Sequence, residues 1–335
     1  MSSLIPSFDH CEILKAIDED LDYFRNKSFT VFGGTGFVGK WLVSTLAFCN
    51  QLANTNIKVN VVSRDSKRAA SLFREFSQSN LRFYDSFGLT MHTLPPTDFF
   101  IHGATPTVNS SAQLASKNKF HLEAADFICM AATHQGNSPI VLHLSSGAVY
   151  GPQHPDQSFI SESAPLVANP QNPYTQAKFE IEEIFQSAAN KGIIRLISPR
   201  LFAFAGPHLP LDAHFAIGNF INDAINKKPI TLTGNAETIR SYMYAGDLVT
   251  CLLKILRIVP VEPMNIGSDT PINMRDLAEM ISSMTNKLPI TLSGEDKPAS
   301  AYVPGIENLR ANIPQINLLP INEILDRWLR WIAAN

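Results

Sequence analysis

Three side chains in the middle of this chain have the types and spacing for moving a proton at an alcohol or a ketone. Tyr174 and Lys178 are four residues apart in Asn172-Pro173-Tyr174-Thr175-Gln176-Ala177-Lys178. On a helix, that spacing puts both on one face. An ammonium beside a phenol favours the phenolate and draws the tyrosine down from its ordinary pKa of ~10. A tyrosine tuned this way takes a proton from a carbinol or gives one to a carbonyl oxygen. Ser146, in Ser145-Ser146-Gly147-Ala148, can hydrogen-bond the same oxygen and hold it. Lys178 can also reach a ribose hydroxyl of a dinucleotide. A tyrosine and lysine at this spacing are common on surface helices, so their weight comes from the elements around them.

Those elements can be read from the sequence. Asn172 suits a helix cap and Pro173 its first position, and Gly192 stops a helix running to about Asn190. Pro139–Leu144 reads as a strand that delivers Ser146. The polar, proline-rich stretch Pro152–Pro170 between them reads as a loop. Far upstream, Phe29–Phe32 reads as a strand and Phe37 to about Phe48 as a helix. The turn between them carries Gly33, Gly36 and Gly39, three apart. Such a turn lets backbone approach a pyrophosphate and feeds a helix whose N-terminus faces the anion. The turn's cofactor-facing residues are then Gly33, Thr35, Gly36, Phe37, Val38 and Gly39.

A second strand, Lys58–Val62, ends at Ser63 and Arg64. An acidic residue at that point would bind a free ribose 2′-hydroxyl, and an arginine pairs with a 2′-phosphate. Asp65 is one or two positions too late, so the reading leans to NADP over NAD. Leu81–Tyr84 reads as a third strand and Asp98–Ala104 as a fourth. Small residues at its end, Gly103 and Ala104, followed by Thr105, let a cofactor lie across it. His102 reads as a core histidine at that strand end. A helix covers about Ser111–His134. Strands alternating with helices mean an α/β fold with a parallel sheet. The expectation is a Rossmann-like, doubly wound sheet over residues 27–205. A helical extension, 1–26, precedes it. Residues 206–335 form mainly a smaller substrate domain, with segments returning to the sheet.

Composition narrows the class. The 335 residues are 45% hydrophobic and 17% charged, enough for a sizeable core. A net charge of -3 gives no sign of nucleic-acid or membrane-surface binding. Cys11, Cys49, Cys129 and Cys251 are scattered, which indicates no metal site and no disulfide framework. Reduced thiols and an acidic N-terminal stretch fit a cytoplasmic protein. No apolar run approaches the ~18 residues that cross a bilayer. Residues 9–25 have helical spacing at Ile13, Leu14, Ile17, Leu21 and Phe24, which suits a surface cap or a subunit contact.

Taken in order, these pieces resemble an extended short-chain dehydrogenase/reductase of the nucleotide-sugar epimerase/dehydratase branch. The matching segments are Gly33–Gly39, His102-Gly103-Ala104, Ser145–Gly151 and Pro173–Lys178. Later ones are Arg200-Leu201-Phe202, Ala205-Gly206-Pro207, Arg240–Asp247 and Asn265–Ser268. The resemblance implies an NAD(P) cofactor, a nucleotide-sugar substrate, and Arg240 on the substrate diphosphate, a task that suits a guanidinium fork. It also implies a homodimer packed through the helices near 111–134 and 173–190, whose outer faces include Phe120, Phe127, Phe179 and Ile184. Phe202, His208, His214 and Asn219 are candidates to line the sugar site. His208, Asp212 and His214 can supply a second acid or base, and Phe215, Ile217 and Phe220 equally read as a packed helix start.

The departures narrow the chemistry. The family's 4,6-dehydratases resemble one another in a Thr-Asp-Glu triplet where this chain has Ser146-Gly147-Ala148. Its decarboxylases tend to carry a glutamate there. Its C4-epimerases carry a serine followed by small residues, as here. The first expectation is therefore an epimerase that runs hydride transfer forwards and backwards with Ser146, Tyr174 and Lys178. The alternative is an NADPH-dependent 4-keto-sugar reductase using the same residues. A non-catalytic cofactor sensor is the third, disfavoured because all three residues are intact.

Overall fold

The computed structural model describes residues 3–103, 111–154, 156–213, 215–260, 262–293 and 298–335, with backbone alone for 111–118. Ala104, Thr105 and His214 lie outside the described residues.

Six described strands make one parallel sheet. They are Ser28–Phe32, Lys58–Ser63, Leu81–Asp85, Phe99–His102, Ile140–His143 and Arg195–Ile197. In space they run third, second, first, fourth, fifth, sixth. The order reverses beside the first strand, and a ligand crevice opens there, outside the carboxyl ends. Parallel strands are covered on both faces, so nearly every position must be apolar. Phe29, Val31, Val59, Val61, Ile101 and Leu142 face the core that holds the helices Phe37–Ala53 and Ala245–Ile258. The alternate residues Phe32, Val62, Phe100 and Val141 face Ala125 and Ile128 of the helix Ser111–Gln135. They also meet Ile181 and Phe185 of the helix Pro173–Asn190. The α/β doubly wound architecture is as the sequence implied.

Two elements differ from the sequence reading. The glycine-turn helix continues past Phe48 to Ala53, where Asn54 turns left-handed at φ 48° and ends it. The N-terminal extension is not one helix. It breaks at Ile17 into Ser7–Ala16, a 3₁₀ turn at Asp18–Asp20, and Leu21–Phe24. At the break Asp20 meets Lys254 at 3.1 Å. The extension packs on its own chain, with Ile13, Ile17, Leu21 and Phe24 buried. His10 stacks on Phe48 at 4.7 Å, and the Tyr244 hydroxyl donates to Asp9 at 2.8 Å.

The second half is built of helices and very short strand pairs. Ile239–Ser241 lies between Pro271–Asn273 and Ala301–Tyr302. Arg200–Leu201 lies between Ser145–Ser146 and Asn265–Ile266, which brings late segments beside Ser146. One apolar cluster runs from Ile5 through the sheet to Trp328. Among the described residues, no helix is long and apolar enough to cross a membrane.

Burial also sets a pH dependence. His10, His102, His121 and His143 are buried, and desolvation holds them neutral, the first three near about 4, about 3 and about 2. The unfolded chain protonates them at ~6.5, so their contribution to stability is lost as pH falls below that value. Asp9 and Asp247, pushed up by burial to about 6 and about 7, act in the opposite sense. With His208, which burial also lowers, to about 4, the imidazoles outnumber the raised carboxyls of Asp9, Asp247 and Glu162, so near pH 5 the unfolded chain binds more protons and stability falls as pH is lowered. Stability to urea is expected to fall steeply from pH 6.5 to 5. A flat profile would show that these imidazoles are not held neutral.

Candidate active site

The glycine turn is shaped by its own backbone. Gly33 has φ 90°, a conformation that favours glycine, and the Gly36 N–H donates to the Gly33 carbonyl at 3.0 Å. A β-carbon on Gly39 would sit 2.2 Å from the Gly33 oxygen and 2.6 Å from the Gly34 Cα. The helix that follows has no side-chain cap and no acidic residue in its first turn. Its leading N–H groups therefore face an open end where Gly36 is exposed and Thr35, Phe37 and Val38 are half-buried. This donor set fits a pyrophosphate.

At the end of the second strand, both nearby carboxylates are engaged. Asp65 accepts from the Arg68 N–H at 2.8 Å and caps the helix Ser66–Leu72. Asp85, paired with Ser63 across the sheet, accepts from the Ser66 N–H and hydroxyl at 2.9 and 2.8 Å. Ser63 donates to the Asp65 carbonyl at 2.7 Å. Arg64, Lys67 and Arg68 are exposed around this point. Gly103 ends the fourth strand, its N–H on the Phe32 carbonyl at 2.9 Å. A β-carbon there would meet Leu144 at 2.9 Å.

Ser146 and the Tyr174 helix come together as their spacing required. Asn172 caps that helix on the N–H groups of Tyr174 and Thr175, with Pro173 in its first turn. The Ser146 hydroxyl interacts with the phenols of both Tyr174 and Tyr302 and draws each down against the upward push of burial. It also accepts from the Ala148 N–H at 3.2 Å. The phenols of Tyr174 and Tyr302 thus share one neighbour, the Ser146 hydroxyl.

One expectation is corrected. The Tyr174 phenol stands above its ordinary value, because burial outweighs its interaction with Ser146. Lys178 does not lower it. That lysine lies one turn deeper, buried, and donates to the Leu144 carbonyl at 2.6 Å. Desolvation brings Lys178 itself down to about 7, with Glu182 acting in the other direction.

Tyr302 is the residue that sequence reasoning missed. Its ring stacks on Phe202 at 4.6 Å. A β-carbon on Gly147 would lie 2.6 Å from the Phe202 ring and 2.7 Å from the Tyr302 oxygen. The bare position beside Ser146 was the one available signal, because it leaves room for two aromatic rings. Arg240 is paired in register with Tyr302, so both project to the same side of their small sheet. Its guanidinium donates to the Ser300 carbonyl at 3.1 Å and the Ser300 hydroxyl at 3.1 Å.

A buried polar network stands behind these groups. Glu182 accepts from Ser145 and pairs with Arg200 at 3.2 Å. Arg200 donates to Tyr150 at 2.9 Å, and Tyr150 donates to Asn265 at 2.8 Å. Glu162 accepts from the N–H groups of Asn265 and Asn308, both at 2.7 Å. The network ties the Tyr174 helix to the late strands and occupies both glutamates.

The structure does not bring His208 to this cluster. Its Nε2 donates to the Leu4 carbonyl at 2.6 Å, and its ring packs on Trp331 at 4.8 Å. The chain's two ends hold it. Asn219 sits half-buried in the first turn of the helix Ala216–Ile225, its N–H on the Phe215 carbonyl.

A Rossmann sheet with an open helix N-terminus at its switch point, and a serine, tyrosine and lysine beside it, defines the extended short-chain dehydrogenase/reductase class. The chain belongs to the NAD-dependent epimerase/dehydratase family, whose model matches residues 29–267. It is 23% identical over 254 residues to UDP-glucuronic acid decarboxylase 2 of Arabidopsis thaliana, covering 75% of this chain and 55% of that protein. It is 25% identical over 280 residues to dTDP-D-glucose 4,6-dehydratase of Dictyostelium discoideum, covering 79% and 63%. The chain thus spans a little over half the length of these relatives. Among solved structures, it is similar to UDP-N-acetylglucosamine 4-epimerase from Methanobrevibacter ruminantium M1 in complex with UDP-N-acetylmuramic acid. The TM-score is 0.79 at 20% identity over 92% of this chain and 99% of that one. UDP-glucuronic acid 4-epimerase from Bacillus cereus in complex with NAD gives 0.76 at 18% identity, with the same coverage. Both likenesses concern the fold.

Proposed function

We propose that this protein epimerises a nucleotide sugar at a ring carbinol by reversible hydride transfer. One observation carries the reading: the phenols of Tyr174 and Tyr302 both interact with the Ser146 hydroxyl, and among the described residues Glu182 and Glu162 nearby are engaged in the network behind. When bound, the oxidised nicotinamide would take up the carbinol hydride and return it to the ketone. In the oxidation half Tyr174 acts as the phenolate, which forms against the upward push of burial, and takes the carbinol proton; in the reduction half it gives that proton back to the ketone oxygen. Ser146 and Tyr302 hold the oxygen during the exchange. The glycine-turn N–H groups would carry the cofactor's pyrophosphate, with Gly103 beside it and Lys178 to meet a ribose hydroxyl. Arg240 takes the substrate diphosphate, and Phe202 flanks the sugar.

Elimination by the 4,6-dehydratase route needs an acid and a base at this strand end, where that branch carries two carboxyl groups. Gly147 has no space for a side chain, and Ala148 has no acid. Glu182 and Glu162 are bound into the network behind. The test is the purified protein with a panel of nucleotide sugars. Tightly retained NAD(H) with epimer formation supports the proposal, and no epimer from any of them opposes it.

A second reading, an NADPH-dependent 4-keto-sugar reductase, draws on the end of the second strand. Asp65 and Asp85 are engaged there while Arg64, Lys67 and Arg68 are exposed and could meet a 2′-phosphate. An empty site that consumes added NADPH would favour it. Arg64→Ala is expected to weaken NADP(H) binding about tenfold, about 1.4 kcal/mol, and to leave NAD(H) nearly unchanged by calorimetry. Equal losses for both would show that Arg64 does not read the phosphate. The homodimer belongs to this proposal as well. Met130 is exposed and Ile184 and Phe179 are half-buried on the two helices concerned, whereas Phe127 turns inward onto Phe32 at 6.0 Å. A monomer by light scattering at micromolar concentration would remove the dimer.

A further inference from the structure

Residues 206–209 carry the chain away from the sheet towards the helix Ala216–Ile225. Contacts from distant parts of the chain hold this crossing. A β-carbon on Gly206, at φ 134°, would lie 3.0 Å from the Tyr244 ring. The Trp41 indole donates to the Pro207 carbonyl at 2.9 Å. His208 Nε2 donates to the Leu4 carbonyl at 2.6 Å, and its ring meets Trp331 edge-on at 4.8 Å.

The N-terminal extension supplies the hold on His208 directly and the hold on Gly206 through Tyr244. Leu4 is itself fixed, its N–H on the Glu75 carboxylate at 2.7 Å and the next residue, Ile5, fully buried. Asp9 accepts from the Tyr244 hydroxyl at 2.8 Å and from Arg327 at 3.1 Å. His208 sits at φ 71°, in the left-handed region that a β-carbon disfavours. Such a backbone persists where its surroundings over-determine it, and here the hydrogen bond to Leu4 and the Trp331 contact do so. Two residues on, Pro210 lies directly against the next helix. A β-carbon on Gly218 would be 2.6 Å from the Pro210 carbonyl oxygen. Gly218 precedes Asn219, a candidate from the sequence to line the sugar site.

We infer that His208 is a positioning residue: clamped by Leu4 of the N-terminal extension, it fixes the crossing and thereby sets the helix Ala216–Ile225 that carries Asn219. The extension then acts as a strap between the two halves. It grips the sheet half through Glu75 and through His10, which contacts Ser44 at 3.1 Å and stacks on Phe48. It grips the second half through His208, Tyr244 and Arg327. The effect on a nucleotide sugar rests on the proposed reaction and on Asn219 lining its site. The clamp itself can be read without any turnover.

Amide hydrogen exchange of the full chain tests the clamp. His208→Gly keeps the left-handed backbone and removes the hydrogen bond and the ring. Exchange is expected to rise about fivefold, the usual worth of one hydrogen bond, in residues 4–9 and again in the helix Ala216–Ile225. His208→Gln, whose amide N–H can donate to the Leu4 carbonyl, should recover part of the protection in both. An unmoved helix Ala216–Ile225 in His208→Gly would overturn the inference. So would a rise spread evenly over the chain, which marks a general loss of stability. If the glycine variant does not fold, His208→Asn takes its place, since asparagine accepts the same backbone and is too short to reach Leu4. With a nucleotide sugar that the enzyme turns over, His208→Gly should raise KM by a similar factor and leave kcat and NAD(H) affinity nearly unchanged. A loss confined to kcat would place His208 in the chemistry and overturn the inference. A wild-type chain that turns over no nucleotide sugar counts against the proposed reaction, and the exchange result then decides the clamp alone.

Discussion

Tyr174→Phe is expected to keep its fold and bound cofactor and to lose turnover by about 10²–10⁴-fold, the usual contribution of a positioned acid–base group. The substitution removes one oxygen and leaves the ring. The helix is capped by Asn172, which the change does not touch. Burial holds the phenol above its ordinary value, so the folded enzyme presents Tyr174 with its proton on. It then has a proton to give to a carbonyl oxygen, and Ser146 is the neighbour that draws it down. Rates on a responsive nucleotide sugar, set beside cofactor content by absorbance, check both halves. Full activity in Tyr174→Phe would remove this residue from the mechanism.

Gly39→Ala is expected to abolish dinucleotide binding. The added carbon would lie 2.2 Å from one backbone oxygen and 2.6 Å from one Cα. Neither is the end of a flexible side chain, so the turn from Gly33 to Gly36 must move, and overpacking of this kind also lowers stability by ~1–3 kcal/mol. The same N–H groups would hold the pyrophosphate, so the affinity falls with the geometry. Gly88→Ala is the control, since nothing lies within 4 Å of a carbon added there. Calorimetry with NAD and NADP on both variants reads the difference. Retained affinity in Gly39→Ala would mean that the turn does not hold the cofactor.

Much of the fold was legible because it rests on local signals. The helix Pro173–Asn190 begins and ends where Asn172, Pro173 and Gly192 placed it. The buried parallel strands show as short apolar runs, and the glycine spacing marks the turn. Longer-range features were hidden. Tyr302 arrives on a two-residue strand, Ala301–Tyr302, too short to leave any period in the sequence. His208 reads as a free imidazole until Leu4 and Trp331, from opposite ends of the chain, close on it. The supposed effect of Lys178 on Tyr174 failed for a related reason. Spacing shows that two residues share a helix face, but not that one ammonium is drawn down to a carbonyl while burial sets the other group's pKa. The division into two halves also blurs, because one apolar cluster runs through both.

The central claim is that this site moves hydride and proton and breaks no carbon–carbon or carbon–oxygen bond of the sugar. Mass spectrometry of the products from a panel of nucleotide sugars, uronic acids included, tests it most directly. The account predicts a product of unchanged mass, with the configuration of one ring carbinol inverted by proton NMR. Loss of carbon dioxide or of water would contradict it, because the first breaks a carbon–carbon bond of the sugar and the second a carbon–oxygen bond.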